Sequence, residues 1–73
     1  MQTGLTLTVN GESRVFDANG APLSVMALLQ VLGLDTRKVA VECNEEIVPR
    51  SRYAETVLAS GDQLEIVHFI GGG

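Results

Sequence analysis

The final residues of the chain, Gly71, Gly72 and Gly73, are the strongest candidates for chemistry in this sequence. Glycine has no side chain, so a run of three can enter a narrow tunnel and bring a carboxylate to another protein's active site. Fully extended, three residues span roughly 10 Å. A free carboxylate is a poor electrophile and must be activated, normally as an acyl-adenylate. We interpret Gly73 as the reactive end; the alternative is a frayed terminus.

The other reactive side chains are better explained as structural. Cys43 and His68 are the single cysteine and histidine of the chain, which excludes an internal disulfide and a zinc site. No basic residue obviously lies beside Cys43 to lower its pKa, so we expect a strand residue rather than a reactive thiol. We interpret His68 as a strand residue near the sheet edge. Glu45 and Glu46 fall in a turn and are expected to be solvated.

Intrinsic catalysis is not expected. The segment before the predicted helix lacks the GK[ST] pattern of a phosphate-binding loop. We also find no convincing set of nucleophile, base and orienting group. We therefore expect a protein that is not an enzyme, that binds no cofactor or metal of its own, and whose carboxylate is activated by a partner.

Length and charge narrow the class of protein further. A chain of 73 residues predicts one domain with a modest core. Its net charge of −4 argues against nucleic-acid binding, which needs clustered Lys and Arg. The sequence contains neither an apolar run of about 20 residues nor a signal-peptide pattern. We expect a cytoplasmic protein without membrane contact.

Alternation and a turn signal predict a hairpin at the start of the chain. Leu5, Leu7 and Val9 alternate with threonines, and Asn10-Gly11 is the dipeptide preferred by a two-residue type I′ turn. Residues 12–17 form the return strand, with Phe16 facing the core; a bulge would instead turn Val15 inward. This turn pairs Glu12 with Val9, Arg14 with Leu7 and Phe16 with Leu5.

The rest of the pattern alternates one helix with short strands. Ser24 is a good N-cap for a helix over residues 24–32, and Gly33 can adopt the left-handed conformation that ends it. Strands are expected at 39–43, at 47–48 and at 63–69, with turns at 44–45 and 60–62. Pro49 restricts the second of these strands to an edge or an end. A short helical turn is expected within 51–58, with Tyr53 and Leu58 in the core.

This order of elements is that of the β-grasp, or ubiquitin-like, fold. It predicts an α+β domain in which a mixed sheet carries one main helix on one face and a short second helical turn. We place the β-grasp domain at residues 1–69 and a flexible glycine tail at residues 70–73.

The last strand also suggests a surface that contacts a partner. Leu64 and Ile66 are expected to face the helix, so Val67 and Phe69 face away, beside Thr6 and Thr8 if the first and last strands pair. Exposed apolar residues next to the tail are typical of a docking surface, although single exposed apolar residues are also common. The candidate partner-binding residues are Val67, Phe69, Ile70 and Arg50.

Over almost its whole length the chain resembles the ThiS family, the ubiquitin-like sulfur carriers of thiamine biosynthesis. The most specific internal match is the segment Asn44-Glu45-Glu46-Ile47-Val48-Pro49-Arg50. Further matches are Val9-Asn10-Gly11, Leu28-Leu29, Gly33-Leu34, Gly61-Asp62-Gln63-Leu64-Glu65-Ile66 and the final glycines.

The resemblance implies a cycle in which this chain is a recycled co-substrate. An E1-like adenylyltransferase would use ATP and magnesium to adenylate Gly73. Sulfur from a cysteine-desulfurase route would then convert the end to a thiocarboxylate, and thiazole synthase would take that sulfur for the thiazole ring.

The sequence departs from the family pattern at two places. The family usually needs two terminal glycines, and this chain has three, so Gly71 would be a spacer if Gly73 reacts. Tyr53 stands where many members have a tryptophan, which we interpret as a packing variant. One alternative is the small subunit of molybdopterin synthase, whose tail typically has prolines that residues 67–70 lack. Another is a ubiquitin-like modifier or interaction domain.

Overall fold

The computed structural model describes residues 4–17 and 21–69. Its five-stranded mixed sheet has the order β2-β1-β5-β3-β4, in which β1 and β5 are parallel and the other neighbours are antiparallel. One helix packs across one face, which confirms the β-grasp prediction. The elements are β1 (Gly4–Val9), β2 (Glu12–Asp17), α1 (Val25–Val31), β3 (Val39–Cys43), β4 (Glu46–Val48) and β5 (Gln63–His68), with 3₁₀ turns at Thr36–Lys38 and Arg50–Arg52.

The first hairpin has the register that its turn predicts. Asn10 and Gly11 adopt positive φ angles of 51° and 84°, as a type I′ turn requires. Leu5 pairs with Phe16, Leu7 with Arg14 and Val9 with Glu12. Phe16 is therefore buried and Val15 is 71% exposed, so the alternative with a bulge is wrong.

Both ends of α1 are capped as predicted. The Ser24 hydroxyl accepts a hydrogen bond from the backbone N–H of Ala27 over 3.0 Å. At the other end Gly33 has a φ of 74°, a conformation that costs glycine little. Its N–H donates to the Gln30 carbonyl, and the next N–H, of Leu34, donates to the Leu29 carbonyl. This pair of bonds closes the helix as a Schellman motif.

The strands in the second half of the chain follow the prediction, but one helical turn is shifted and one further 3₁₀ turn is present. Asn44 and Glu45 form the turn into β4, which lies at the sheet edge as Pro49 requires. The predicted helical turn within 51–58 is instead a 3₁₀ turn at Arg50–Arg52. An unpredicted 3₁₀ turn, Thr36–Lys38, precedes β3 and is capped by Asp35, whose carboxylate accepts from the Arg37 N–H.

The core fills the space between α1 and one face of the sheet. Tyr53 and Leu58, predicted as anchors, are 2% and 4% exposed and belong to the core. Within the described residues no helix is long and apolar enough to cross a membrane. The fully buried side chains are Leu7, Val25, Leu28, Leu29, Val39, Val41, Tyr53 and Leu64.

Candidate functional site at the end of the last strand

The site begins where β5 leaves the centre of the sheet. This strand has β1 on one side and β3 on the other, so the chain that follows it departs from the middle of the sheet. Phe69, directly after β5, still donates its N–H to the Lys38 carbonyl over 2.9 Å. The predicted site residues Ile70, Gly71, Gly72 and Gly73 lie outside the described residues, and their roles stay predictions.

Val67 and Phe69 face away from the helix, as predicted, with 58% and 50% of their surface exposed. Their predicted neighbours are wrong. The parallel register aligns Thr8 with Gln63, so Thr6 and Thr8 lie beside the start of β5 rather than its end. On the other side of β5, Val67 pairs with Ala40 of β3. The apolar surface therefore extends toward β3 and β4.

A shallow depression of about 180 Å³ joins this surface to Arg50. Phe69, Ala40, Ile47 and Arg50 all contribute to its wall. The Arg50 guanidinium donates to the Arg37 carbonyl over 3.5 Å, which holds it beside the start of β3. The structure thus brings together three of the predicted partner-binding residues. We call the set Ala40, Ile47, Arg50, Val67 and Phe69 the docking face.

Ile47 is a member of the docking face that sequence reasoning missed. It is 75% exposed, whereas its neighbour Val48 is buried. Ile47 pairs with Glu42 across β3 and β4, on the face away from the helix. The alternation of the short strand was the available signal, since a buried Val48 requires an outward Ile47.

Cys43 lies at the other end of β3 and has the surroundings of a structural residue. Its side chain is half-buried, and the Asn44 amide lies 3.7 Å from its sulfur. Burial raises the pKa of the Cys43 thiol, and the charges of Asp62 and Glu46 raise it further. Both effects disfavour the thiolate that sulfur chemistry requires. Cys43 pairs with Leu64 near the start of β5, away from the end of that strand.

His68 is placed differently from the prediction. It ends β5, a central strand, and its Cα pairs with that of Val39, so the expected position near the sheet edge is wrong. Its side chain is exposed, and the pairing of β1 with β5 ends before it, at Leu64. Among the described residues, no group of three or more His, Cys, Asp or Glu side chains could hold a metal ion.

Comparison with known proteins agrees with the fold. The model of the ThiS family matches residues 7–73. The sulfur carrier protein ThiS of Bacillus subtilis is 44% identical over 50 residues, which cover 68% of this chain and 76% of that protein. The crystal structure of the thiamine biosynthesis protein ThiS from Geobacter metallireducens superposes with a TM-score of 0.79 at 38% identity, covering 94% of this chain and 100% of the other.

A second kind of relative is much longer. A thiazole synthase of Paramagnetospirillum magneticum is 56% identical over 69 residues, which are 94% of this chain and 20% of that protein. The chain thus spans about a fifth of the length of this relative. The family match covers most of the chain, and both the sheet order and the capped helix agree with it. The chain therefore belongs to the ThiS family.

Proposed function

We propose that this chain is a sulfur carrier that works through the carboxylate of Gly73. In this proposal an E1-like adenylyltransferase uses ATP and magnesium to form an acyl-adenylate at Gly73, with release of pyrophosphate. A protein persulfide supplied by a cysteine-desulfurase route then attacks the acyl carbon and displaces AMP, which gives an acyl disulfide. A second thiol reductively cleaves the S–S bond, so that the thiocarboxylate is released and the two thiols are left as a disulfide. The chain supplies the carboxylate and the surface that presents it, while its partners supply the chemical activation.

The observation that carries this proposal is the position of the glycines after β5. The pairing of β3 with β5 continues up to His68, so the strand gives the chain that follows it a fixed point of departure. The exposed apolar residues of the docking face lie directly before the tail in sequence and beside Arg50 in space. A partner that binds this face would hold the carboxylate within reach of its own active site.

Thiazole synthase is the proposed consumer of the sulfur. Proteins named thiazole synthase in Paramagnetospirillum magneticum and Magnetococcus marinus contain a segment similar to this chain, at 56% and 42% identity. A carrier and the enzyme that consumes its cargo gain effective concentration when they share a polypeptide. This favours the thiamine pathway over the molybdopterin alternative.

The chemistry of the described side chains supports a role without intrinsic catalysis. The pKa of Cys43 is raised rather than lowered, and this cysteine pairs with Leu64, remote from the end of β5. We propose that the chain is a co-substrate, and that ATP and magnesium are bound by the adenylating partner.

Intact-mass analysis tests the proposal. The chain is incubated with an E1-like adenylyltransferase, ATP, magnesium and a sulfur donor, and we expect the mass gain of one oxygen replaced by sulfur. Removal of ATP should abolish the gain, as should deletion of Gly73, while the deletion variant should keep its melting temperature. No mass change with an adenylyltransferase active on another carrier would contradict the proposal. Loading of the deletion variant would show that Gly73 is not the reactive end.

A further inference from the structure

Asn10 continues the ladder between β1 and β5 beyond the point where β1 ends. The backbone register of these strands ends at Val9 and Leu64, because the chain turns away at Asn10 with a φ of 51°. The Asn10 N–H still donates to the Leu64 carbonyl over 2.8 Å. In a regular parallel ladder, the carbonyl of the same residue would then accept from the N–H of Ile66. The turn has moved that carbonyl away.

The side chain of Asn10 takes the place of the missing carbonyl. Its Oδ1 accepts from the Ile66 N–H over 2.7 Å, and its Nδ2 donates to the Ile66 carbonyl over 3.2 Å. One amide thus satisfies both backbone groups of a residue 56 positions away in the sequence. Both atoms of the amide are used, so neither an aliphatic residue nor glycine can replace it.

The contact between Asn10 and Ile66 lies where β1 no longer pairs with β5. Past Leu64, a cavity of about 210 Å³ opens beside Ile66 and His68, and Asn10 forms part of its wall. On the other side, β3 pairs with β5 up to His68. The segment that follows Ile66 contains Val67 and Phe69 of the docking face. Loss of the two hydrogen bonds at Ile66 would therefore disturb the positions of these two residues.

We infer that Asn10 is a positioning residue for sulfur loading: its amide holds Ile66, and thereby orients Val67 and Phe69 of the docking face toward the adenylating enzyme. The inference rests on the proposed function. Without the amide, the end of β5 would have to be ordered on binding, so the cost would fall on recognition rather than on the chemical step.

Asn44 provides a matched control within the same chain. It also has a positive φ, of 53°, in a two-residue turn. Its side chain likewise accepts from the Gln63 N–H over 3.0 Å and donates to Asp62 over 3.0 Å, besides its contact with the Cys43 sulfur. These bonds hold the start of β5, at the end remote from the tail. Glycine adopts positive φ readily, so Asn10→Gly and Asn44→Gly remove the amides without straining either turn.

The experiment measures kcat and KM of the adenylating enzyme for the wild-type chain, Asn10→Gly and Asn44→Gly, with all three shown to be folded at the assay temperature. We expect Asn10→Gly to raise KM about five- to tenfold with kcat within about twofold, since misplacement away from the reacting group weakens productive binding. Asn44→Gly should leave both constants within about twofold. Asn10→Asp, which keeps the acceptor for Ile66, should give an intermediate KM.

Amide hydrogen exchange supplies a second readout that does not depend on the enzyme. Asn10→Gly should speed exchange at Ile66 and Phe69 more than at Leu64, whereas Asn44→Gly should speed exchange at Gln63. Equal kinetic constants for the two variants, with an active wild-type chain, would overturn the positioning role alone. A wild-type chain that is not adenylated would overturn the proposed function, and the inference with it.

Discussion

The buried hydroxyl of Tyr53 donates a hydrogen bond to the backbone carbonyl of Val39 over 3.2 Å. Val39 begins β3 and pairs with His68 at the end of β5, so this bond ties the loop after β4 to the strand beside the tail. Tyr53 is also one of the largest fully buried side chains, with 2% exposure. Tyr53 therefore contributes a polar contact as well as volume.

Tyr53→Phe should remove this bond and keep the packing. We expect a loss of about 1 kcal/mol in the free energy of unfolding. In a domain of this size, that corresponds to a melting temperature lower by about 4–8 °C. Calorimetry would measure the loss, with Thr56→Val as the control, because the Thr56 hydroxyl makes an exposed bond to the Arg52 carbonyl. A larger loss for the control would show that burial does not determine the strength of the Tyr53 bond.

Ionisation of the Cys43 thiol should lower the stability of the domain at alkaline pH. Because burial and nearby carboxylates raise its pKa in the folded state, the folded chain binds more protons than the unfolded chain above the ordinary thiol pKa of about 8.5. The stability from this group is complete below that pH and is lost as the pH rises through the folded-state pKa.

Denaturant titrations at a series of pH values would measure this loss. We expect Cys43→Ala to flatten the decline in stability above about pH 8.5, whatever its effect at neutral pH. Tyr53→Phe is the control, since burial raises the pKa of Tyr53 from a higher ordinary value and its effect begins near pH 10. An unchanged slope in Cys43→Ala would assign the decline to another group.

The backbone of Glu45, in the turn between β3 and β4, is strained, and a substitution can relieve this strain. Glu45 has a φ of 70° at the position that Gly11 occupies, with a φ of 84°, in the first hairpin. A left-handed conformation costs a residue with a side chain about 1–2 kcal/mol, whereas glycine brings an entropic cost of about 0.5–1 kcal/mol. Glu45→Gly should therefore raise the free energy of unfolding by about 0.5–1 kcal/mol.

Thermal melts of Glu45→Gly and Glu46→Gly would test this prediction. Glu46 is the first residue of β4, where glycine brings its entropic cost without relief of strain. We expect opposite signs for the two variants. A decrease in the melting temperature of both would mean that the Glu45 side chain contributes more than its backbone strain costs.

The docking face should determine affinity for the adenylating enzyme. Val67→Asp and Phe69→Ala should each weaken binding about tenfold, as loss of a central apolar contact commonly does. Val15→Asp is a matched control, since Val15 is 71% exposed on the same face of the sheet, but on the edge strand β2. Titration calorimetry would compare the three. A loss in Val15→Asp as large as that in Val67→Asp would point to a general charge effect instead of a defined surface.

Local patterns predicted much of this fold. Alternation and the Asn10-Gly11 turn predicted the register of the first hairpin, because a two-residue turn leaves neighbouring strands one way to pair. Ser24 and Gly33 predicted the ends of α1, because capping depends on residues within a few positions of each other. The outward orientation of the Val67 and Phe69 side chains was also predicted from alternation alone.

The long-range pairing could not be predicted from these patterns. Alternation shows which side of a strand is buried but not which strand lies beside it, or in which direction. The neighbours of Val67 were therefore wrong, and His68 was assigned to an edge although β5 is central.

The sequence by itself determined the elements, their buried sides, the family and the candidate tail. Tertiary structure decided that β5 lies between β1 and β3, that Ile47 and Arg50 join Phe69 in one surface, and that the amide of Asn10 reaches Ile66. The physical reason is the separation along the chain of the residues that determine each feature. Turns, caps and alternation depend on residues close together in the chain, whereas strand order and side-chain bonds across the sheet depend on how the whole core packs.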